Sequence, residues 1–349
     1  MRVLHGPQNI GGMAGVLASA QRRLGVDAKS ICHINNVFQY SADQVIPDSK
    51  SGVLSSLSFF FKEALPFDIF QFYFDSSWAG QALVDIPLLK KLGKKVYFYF
   101  CGCEIRDSKA TIRKYKYSAC KQCWPMLCSA NRERLLEIAT KYADGVFVST
   151  PDLLEFVPNS VLLPQPIDVK RLNDIKRYTL NEDFERKANA PIKIGHAPSN
   201  QNIKGTKYLV RAVAALAAKG YPVELVLVEG KSYAEAMQTC ARVDIIVDQL
   251  LVGAYGQFAV EMMAMGKPVV CFLRADLLQE YPTALPIISA DIESIEGCLA
   301  NLIKSRDSWP TIGARGREYV DAVHASEAVA RKMLDTYLES SCANSNVDR

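Results

Sequence analysis

The sequence lacks a strong excess of charge of either sign. Its 41 Lys and Arg residues stand against 37 Asp and Glu residues, so the net charge is only +4 over 349 residues. Nucleic-acid-binding proteins concentrate far more basic charge because they must neutralise phosphates. We therefore expect no nucleic-acid partner. With 49% hydrophobic and 22% charged residues, the composition is that of a globular chain long enough for two hydrophobic cores.

Long apolar runs are also missing. The most apolar stretches, residues 54–61 and 69–74, are bounded by charged residues or proline and fall short of the roughly 20 residues that a spanning helix needs. Met1 to Gly6 lacks the basic head and apolar core of a secretion signal. We expect a cytoplasmic protein without a membrane span, and peripheral contact with a membrane stays open.

The cysteines do not form the paired pattern of a zinc ribbon. Five of the ten lie together, at Cys101, Cys103, Cys120, Cys123 and Cys128. Without a secretion signal, reduced thiols are favoured over disulfides. The Cys-x2-Cys spacing suits a metal, but no matched second pair follows it. We predict free thiols and no metal ligands, with a structural zinc at the Cys101 to Cys128 cluster as the less favoured alternative.

Short strands and helices alternate along the chain. Predicted strands at 2–4, 68–74, 95–100, 145–149 and 161–163 alternate with predicted helices at 13–24, 78–92, 132–143 and 153–156. The proline-marked stretch 164–168 interrupts this order, which restarts at 192 and runs to 272 before a final helix from 324 to about 338. Such alternation indicates an α/β protein with parallel sheets covered by helices. We place one domain at 1–165, a second at 166–322 and a closing helix at 323–340.

Two strand-to-helix loops are candidate anion sites. In the first, Gly11 and Gly12 let the backbone approach a phosphate at a helix N-terminus, although the glycine spacing does not match G-x-G-x-x-G. In the second, Lys204 beside Gly205 places an ammonium near a helix start, which suits a phosphate. A plain tight turn and a solvated surface lysine are the alternatives.

Glu261 is the most informative carboxylate. It lies among apolar residues on a predicted helix at 258–265, where a carboxylate is costly unless it is hydrogen-bonded. We expect a partner such as a pair of hydroxyl groups. Gly256 and Gln257 begin the same helix and offer backbone N–H groups to a second anion.

The run Tyr255-Gly256-x4-Glu261-x2-Ala264-x-Gly266-x-Pro268-Val269-Val270 is specific enough to identify a resemblance. Together with Lys204-Gly205 and Gly11-Gly12, it resembles the retaining glycosyltransferases of the GT-B fold, in particular family 4. The resemblance covers nearly the whole chain. It implies two Rossmann-like domains with parallel sheets, a cleft between them, and a final helix that crosses back to the first domain.

The resemblance also implies an activity and its residues. A UDP-sugar donor, UDP-glucose above all, would be held by the C-terminal domain, and a saccharide or lipid-linked saccharide acceptor by the N-terminal domain. Glu261 would bind the donor ribose, and Lys204 the diphosphate. The remaining donor contacts would be Gly11, Gly12, His196, Ser199, Tyr255, Gly256, Gln257 and Phe258. No metal cofactor is required in such enzymes, because the lysine and helix N-termini stabilise the leaving diphosphate.

The sequence departs from the family pattern in three places. Gly253 stands where the family has the first glutamate of its Glu-x7-Glu motif, and Asp248 is a weak candidate to compensate. His196 replaces an arginine. The His-Gly-x-Asp element is matched by Cys101-Gly102-Cys103-Glu104, followed by Arg106, so Glu104 and Arg106 join Lys204 as candidate catalytic residues.

Two other functions remain open at this stage. The chain could be a nucleotide-sugar-binding GT-B protein with impaired catalysis, since the first glutamate is missing. It could also be a GT-B sugar-nucleotide epimerase, which needs acid and base groups, and His196 is the suitably placed histidine among only four.

A basic stretch lies at Lys109 to Lys121, on the predicted acceptor side. A solvated face is the default interpretation. Attraction of an anionic acceptor or a membrane surface is the functional one, and the apolar segment 53–61 could add interfacial contact, although a core helix is favoured there.

Overall fold

A computed structural model describes residues 1–33, 40–46, 63–123, 131–181, 190–282 and 285–345. Its strands are β1 Arg2–His5, β2 Asp27–His33, β3 Gln44–Ile46, β4 Ile69–Tyr73, β5 Lys95–Phe100, β6 Gly145–Val148, β7 Val161–Leu162, β8 Ile192–His196, β9 Val223–Leu227, β10 Ile245–Val247, β11 Val269–Cys271 and β12 Ile288–Ser289. Its helices are α1 Met13–Arg23, α2 Asp85–Lys91, α3 Ser108–Lys114, α4 Arg132–Tyr142, α5 Val169–Asn181, α6 Gln201–Lys204, α7 Thr206–Ala218, α8 Tyr233–Ala241, α9 Gln257–Ala264, α10 Ile295–Lys304, α11 Trp309–Val323 and α12 Ser326–Ser345.

The chain forms two compact units. The first comprises Met1–Asp107, Cys128–Ile167 and Ala325–Arg349, and the second comprises Ser108–Leu127 and Asp168–His324. Among the described residues, the first unit contains a parallel sheet in the order β3-β2-β1-β4-β5-β6-β7, and the second a parallel sheet in the order β12-β11-β10-β8-β9. The predicted α/β class with two parallel sheets is confirmed.

Aromatic residues fill both faces of the first sheet. Along β5, side chains alternate between the faces, so Tyr97 and Tyr99 join one cluster and Phe98 and Phe100 the other. The tyrosine cluster is covered by α1 and α12, and the phenylalanine cluster by α2 and α4. A strand that is buried on both faces can be apolar throughout, which explains the strong strand pattern at 95–100.

The final helix packs on the first unit, as the resemblance implied. The Tyr337 ring lies 4.4 Å from the Tyr97 ring, measured between centroids. Its hydroxyl donates a 2.8 Å hydrogen bond to the buried side-chain oxygen of Gln71. The backbone N–H of Ser326 begins the helix by donating to the Ile167 carbonyl. Residues distant in sequence therefore complete the first core.

Two predicted elements differ from the structure. The helix predicted at 78–92 begins only at Asp85, because Gly80 and Leu83 adopt positive φ values of 66° and 54° and the chain turns there. The sequence predicted no helix between the proline-marked stretch 164–168 and residue 192, yet Val169–Asn181 forms α5. Asp168 caps that helix by accepting the Arg171 N–H at 3.0 Å.

The segment that carries the basic stretch packs with the second unit, whereas the predicted boundaries assigned it to the first. The Ala119 N–H donates to the Leu251 carbonyl at 2.9 Å, and Lys116 forms an ion pair with Glu293 at 3.0 Å. Hydrogen bonds to partners far along the chain cannot be inferred from local composition. No helix within the described ranges is long and apolar enough to cross a membrane. The apolar segment 53–61 lies outside those ranges.

A close helix contact in the second unit generates a stability prediction. A Cβ on Gly313 of α11 would lie 2.1 Å from the Gly266 carbonyl oxygen, whereas a Cβ on Gly297 of α10 would meet nothing within 4 Å. We expect Gly313→Ala to lower the free energy of unfolding by about 1–3 kcal/mol through overpacking. Gly297→Ala, the matched control, should be neutral or stabilising by up to about 1 kcal/mol. Urea denaturation of both variants tests this, and equal stabilities would contradict it.

Candidate functional site

The second sheet has a topological switch point at its carboxyl edge, where open α/β sheets form a crevice. Strands β8 and β10 are neighbours, but the chain leaves β8 towards β9 and leaves β10 towards β11, on opposite sides. The loops after the two strands therefore diverge, which is where open α/β sheets bind ligands. One loop carries Ser199 and Lys204, and the other runs from Asp248 to Gly256.

Local geometry holds Lys204 at this crevice. The Asn200 side chain caps α6 by accepting the N–H groups of Asn202 and Ile203 at 3.0 and 3.1 Å. Gly205 follows with φ of 80°, a left-handed conformation that ends α6 and opens α7. The Lys204 carbonyl accepts the Leu250 N–H at 3.1 Å, which ties the two loops together.

The Lys204 ammonium forms an ion pair with Asp248 Oδ1. The Asp248 side chain is 0% exposed and that of Lys204 13%, so the carboxylate lies beneath the ammonium. The second oxygen, Oδ2, accepts the Gly256 N–H at 3.0 Å. Gly256 is the N-cap of α9. One buried carboxylate thus joins a lysine to the start of a helix.

Glu261 lies one turn further along α9 and is 5% exposed. Burial, with a smaller contribution from the Asp248 charge, raises the pKa of its carboxyl to about 8. A hydrogen bond with Tyr233 and the positive charges of Arg171 and Lys204 act in the opposite direction. The carboxyl is therefore mostly protonated at pH 7 and poised to ionise when further hydrogen-bond donors arrive.

His196 and Tyr255 make their polar contacts inside the second unit. The His196 ring is buried, with Nδ1 2.8 Å from the Val247 carbonyl oxygen and Nε2 2.9 Å from Thr206 Oγ1. Burial lowers the pKa of His196, which favours the neutral ring. The Tyr255 hydroxyl lies 2.9 Å from His324 Nε2. These contacts indicate that both side chains stabilise the loops that follow β8 and β10.

The other predicted donor contacts follow strands of the second sheet. Gln257 and Phe258 form the first turn of α9, where Gln257 is half-buried and Phe258 buried. Ser199 is exposed on the loop after β8. These three residues and Gly256 share the carboxyl edge of the second sheet with Lys204.

The backbone and the packing at position 253 leave no room for a side chain. Gly253 has φ of 86°, and a Cβ there would lie 2.7 Å from Cγ and Cδ of Arg274. The Arg274 guanidinium lies 3.8 Å from the centroid of the Tyr115 ring, on the basic segment, and pairs with Asp276 at 2.6 Å. The arginine stem fills the space that a side chain at 253 would need.

In the first unit, a local hydrogen bond stabilises the loop after β1. Asn9 Oδ1 accepts the Ala14 N–H at 3.1 Å, which caps the start of α1. Gly11 and Gly12 have φ of 59° and 78°. A Cβ on Gly12 would lie 3.1 Å from the Tyr40 ring, so this ring covers Gly12 while Gly11 stays half-buried.

Glu104 and Arg106 lie together at the carboxyl end of β5. Glu104 is fully buried, its Oε1 accepts the Cys101 N–H, and its Oε2 lies without a hydrogen-bond partner. Burial raises the pKa of Glu104 to about 7. Nε and Nη2 of Arg106 donate to Asp152 Oδ2 at 3.0 and 2.6 Å. A carboxyl with this pKa can donate or accept a proton near neutrality.

Sequence reasoning missed Asp152, Arg171 and Tyr233. Asp152 follows β6, the neighbour of β5, so its position at the carboxyl edge was the available signal. Tyr233 begins α8, and the Arg171 guanidinium lies 5.0 Å from its ring centroid. Nothing local in the sequence links α5 to α8.

Within the described residues, Cys101, Cys103, Cys120 and Cys123 form no disulfide bonds. In the part of the chain that the structure describes, no three His, Cys, Asp or Glu side chains are grouped to hold a metal ion. Cys128 lies outside that part. The metal-free site and the alternative zinc cluster both stay predictions.

Comparisons with known proteins identify the fold. No protein-family model matches the chain, and no curated protein sequence matches it significantly. Among solved structures, it is similar to sucrose-phosphate synthase from Thermosynechococcus elongatus, with 15% identity, a TM-score of 0.63, and coverage of 94% of this chain and 92% of that one. It is also similar to Anabaena HepE in complex with UDP and glucose, with 12% identity, a TM-score of 0.65, and coverage of 97% and 99%.

A third similar structure has a different activity. UDP-GlcNAc 2-epimerase from Neisseria meningitidis, bound to UDP-GlcNAc, shares 14% identity with a TM-score of 0.55 over 97% of this chain and 100% of that one. At such identities the likeness establishes the fold alone. The chain has the GT-B fold that these structures share, as the sequence resemblance implied.

The raised pKa of Glu261 generates a prediction about stability. The folded protein holds this proton up to about pH 8, whereas an unfolded glutamate releases it near 4.5. Its contribution to stability is therefore fully present below pH 4.5 and is lost as the pH rises through 8. Relative to wild type, Glu261→Gln should become progressively more stable between pH 5 and 8. Denaturant titrations across this range measure the difference.

Glu318→Gln is the control for that experiment, because Glu318 is exposed on α11. Its stability curve should run parallel to that of the wild type. A Glu261→Gln curve that is also parallel to wild type would show that Glu261 ionises normally in the folded protein.

Proposed function

We propose that this protein is a glycosyltransferase that transfers a hexose, glucose from UDP-glucose, to a saccharide or lipid-linked saccharide with retention of configuration. The observation that carries the proposal is the group formed by Lys204, Asp248 and Glu261 at the carboxyl edge of the second sheet. A cation, a helix N-terminus and a hydroxyl-accepting carboxyl at one crevice suit a nucleoside diphosphate sugar.

The diphosphate is the leaving group, so its developing charge needs stabilisation. An ammonium has three N–H donors, and Lys204 uses one on Asp248. The others are available to phosphate oxygens, and the N–H groups of Gln257 and Phe258 at the start of α9 add the helix dipole. Preorganised donors of this kind stabilise a leaving anion without a metal.

Glu261 is assigned to the ribose of the donor. Two ribose hydroxyls donate hydrogen bonds best to an ionised carboxylate, so donor binding should lower the raised pKa of Glu261. Tyr233, which hydrogen-bonds this carboxyl, would then share it with the ribose.

The acceptor is assigned to the first unit. Glu104 and Arg106 lie at the carboxyl end of β5, and Asp152 orients the guanidinium. These groups suit hydroxyls of a saccharide, with Glu104 able to exchange a proton near pH 7. Membership of family 4 and retention are proposed from the sequence resemblance, and the acceptor is proposed as a saccharide or lipid-linked saccharide. The basic segment lies in the second unit, so we do not assign it to acceptor binding.

Variants of the donor site test the assignment. Lys204→Ala and Glu261→Ala should each weaken UDP binding at least tenfold, about 1.4 kcal/mol, because each removes a direct contact. Lys219→Ala is the matched control, since Lys219 makes a surface ion pair with Glu296 on the same unit. Isothermal titration calorimetry measures the affinities. Unchanged affinity in both site variants would refute the donor site.

Turnover of UDP-glucose distinguishes the proposed activity from its rivals. Without an acceptor, a glycosyltransferase should slowly release free glucose, which NMR detects. Conversion of UDP-glucose to an epimer would instead support an epimerase. If UDP-glucose binds but neither free glucose nor an epimer forms, and no sugar is transferred to added candidate acceptors, the protein is a binding protein. A thermal-shift panel of UDP, GDP, ADP and their sugars tests the base, because the shift increases with the logarithm of ligand concentration over Kd. A clear preference for a GDP-sugar would overturn the assigned donor.

A further inference from the structure

Asp248 occupies the place of an anion in the proposed donor site. Its two carboxylate oxygens accept hydrogen bonds from the Lys204 ammonium and from the Gly256 N–H at the start of α9. An ammonium and a helix N-terminus are the groups that a bound phosphate ordinarily uses. A Cβ on Gly256 would lie 3.3 Å from Asp248 Oδ2 and 3.6 Å from Lys204 Nζ, so the three residues form one compact group.

The burial of this carboxylate decides its effect on a ligand. Asp248 is 0% exposed and lies beneath Lys204, so an incoming diphosphate meets the ammonium from the solvent side while the carboxylate stays in place. The positive charge of Lys204 is already neutralised by Asp248 before a ligand binds. The attraction between the Lys204 ammonium and a bound diphosphate is therefore partly offset by repulsion between the diphosphate and the Asp248 carboxylate. Because both side chains are largely buried, water screens this repulsion only weakly.

We propose that Asp248 is an internal counter-ion that limits the affinity of this site for diphosphates. The inference rests on the proposed donor site. A compensated lysine still stabilises charge that develops on the leaving group, but it holds the finished diphosphate less tightly than a lone lysine would. The product can then leave, which matters because product release often limits turnover.

Asp248→Asn tests the proposal with inorganic pyrophosphate as the probe. Asparagine is nearly isosteric, and its side-chain oxygen can still accept the Gly256 N–H, so the substitution removes mainly the charge. A lysine without its counter-ion should bind pyrophosphate, and also UDP, at least tenfold more tightly than the wild type. Calorimetry at fixed pH and ionic strength measures both affinities.

A double-mutant cycle ties the effect to Lys204. In the Lys204→Met background, Asp248→Asn should give a smaller gain, because only the repulsion between the diphosphate and the carboxylate is removed and no ammonium is released from its partner. Glu296→Gln is the control, since it removes the carboxylate of the surface pair with Lys219. It should leave pyrophosphate affinity unchanged. Equal or weaker pyrophosphate binding by Asp248→Asn would overturn the proposal and make Asp248 a residue that only positions Lys204.

The stability of the variants gives a second measurement. Without ligand, Asp248→Asn should melt at a lower temperature than wild type, because a poorly solvated lysine loses its partner. Pyrophosphate should raise that melting temperature more than it raises the wild-type value. If the asparagine variant does not fold, Asp248→Ser removes the same charge and carries the same expectations. Failure of wild type to bind UDP-glucose would refute the proposed function, whereas the pyrophosphate comparison needs neither nucleoside nor turnover.

Discussion

A buried charge needs a partner, and in the second unit this constraint organises the site. The desolvation of Asp248 costs several kcal/mol unless its oxygens are satisfied, so the segments that supply its donors must lie beside it. Those segments are the loop that ends at Lys204 and the N-cap of α9 at Gly256. The same carboxylate raises the pKa of Glu261 on the next turn of that helix. The diphosphate and ribose positions of the proposed donor site are thus coupled through one side chain.

The first unit meets a similar constraint with neutral groups. His5 at the end of β1 is buried, with Nδ1 2.7 Å from the Tyr73 hydroxyl and Nε2 3.0 Å from Gln21 on α1. Burial lowers its pKa to about 4, so the ring is neutral. The final helix satisfies the nearby Gln71 through Tyr337. These buried polar groups link the first sheet to α1 and α12. Glu104 and Arg106 lie on the loop that follows β5.

The packing around Gly253 accounts for one departure of this sequence from the pattern of the family that it resembles. At position 253 the left-handed backbone and the stem of Arg274 exclude a glutamate, and the guanidinium instead stacks on Tyr115 of the basic segment. A carboxylate is present nearby at Asp248, but it lies under Lys204 and not at position 253. The buried acid of this site is thus Asp248, which pairs with Lys204 and accepts the Gly256 N–H.

The sequence by itself predicted the α/β alternation and the positions of most strands, because periodicity and residue type act over a few neighbouring positions. It also marked Lys204 and Glu261 as candidate site residues, and their roles stay predictions. Only the tertiary structure decided the partners. The ion pair of Lys204 joins residues 44 positions apart, the segment 108–123 packs with the second unit, and both ring nitrogens of His196 contact partners within that unit. Each of these outcomes depends on which loops the sheet order brings together, and local pattern carries no record of that order.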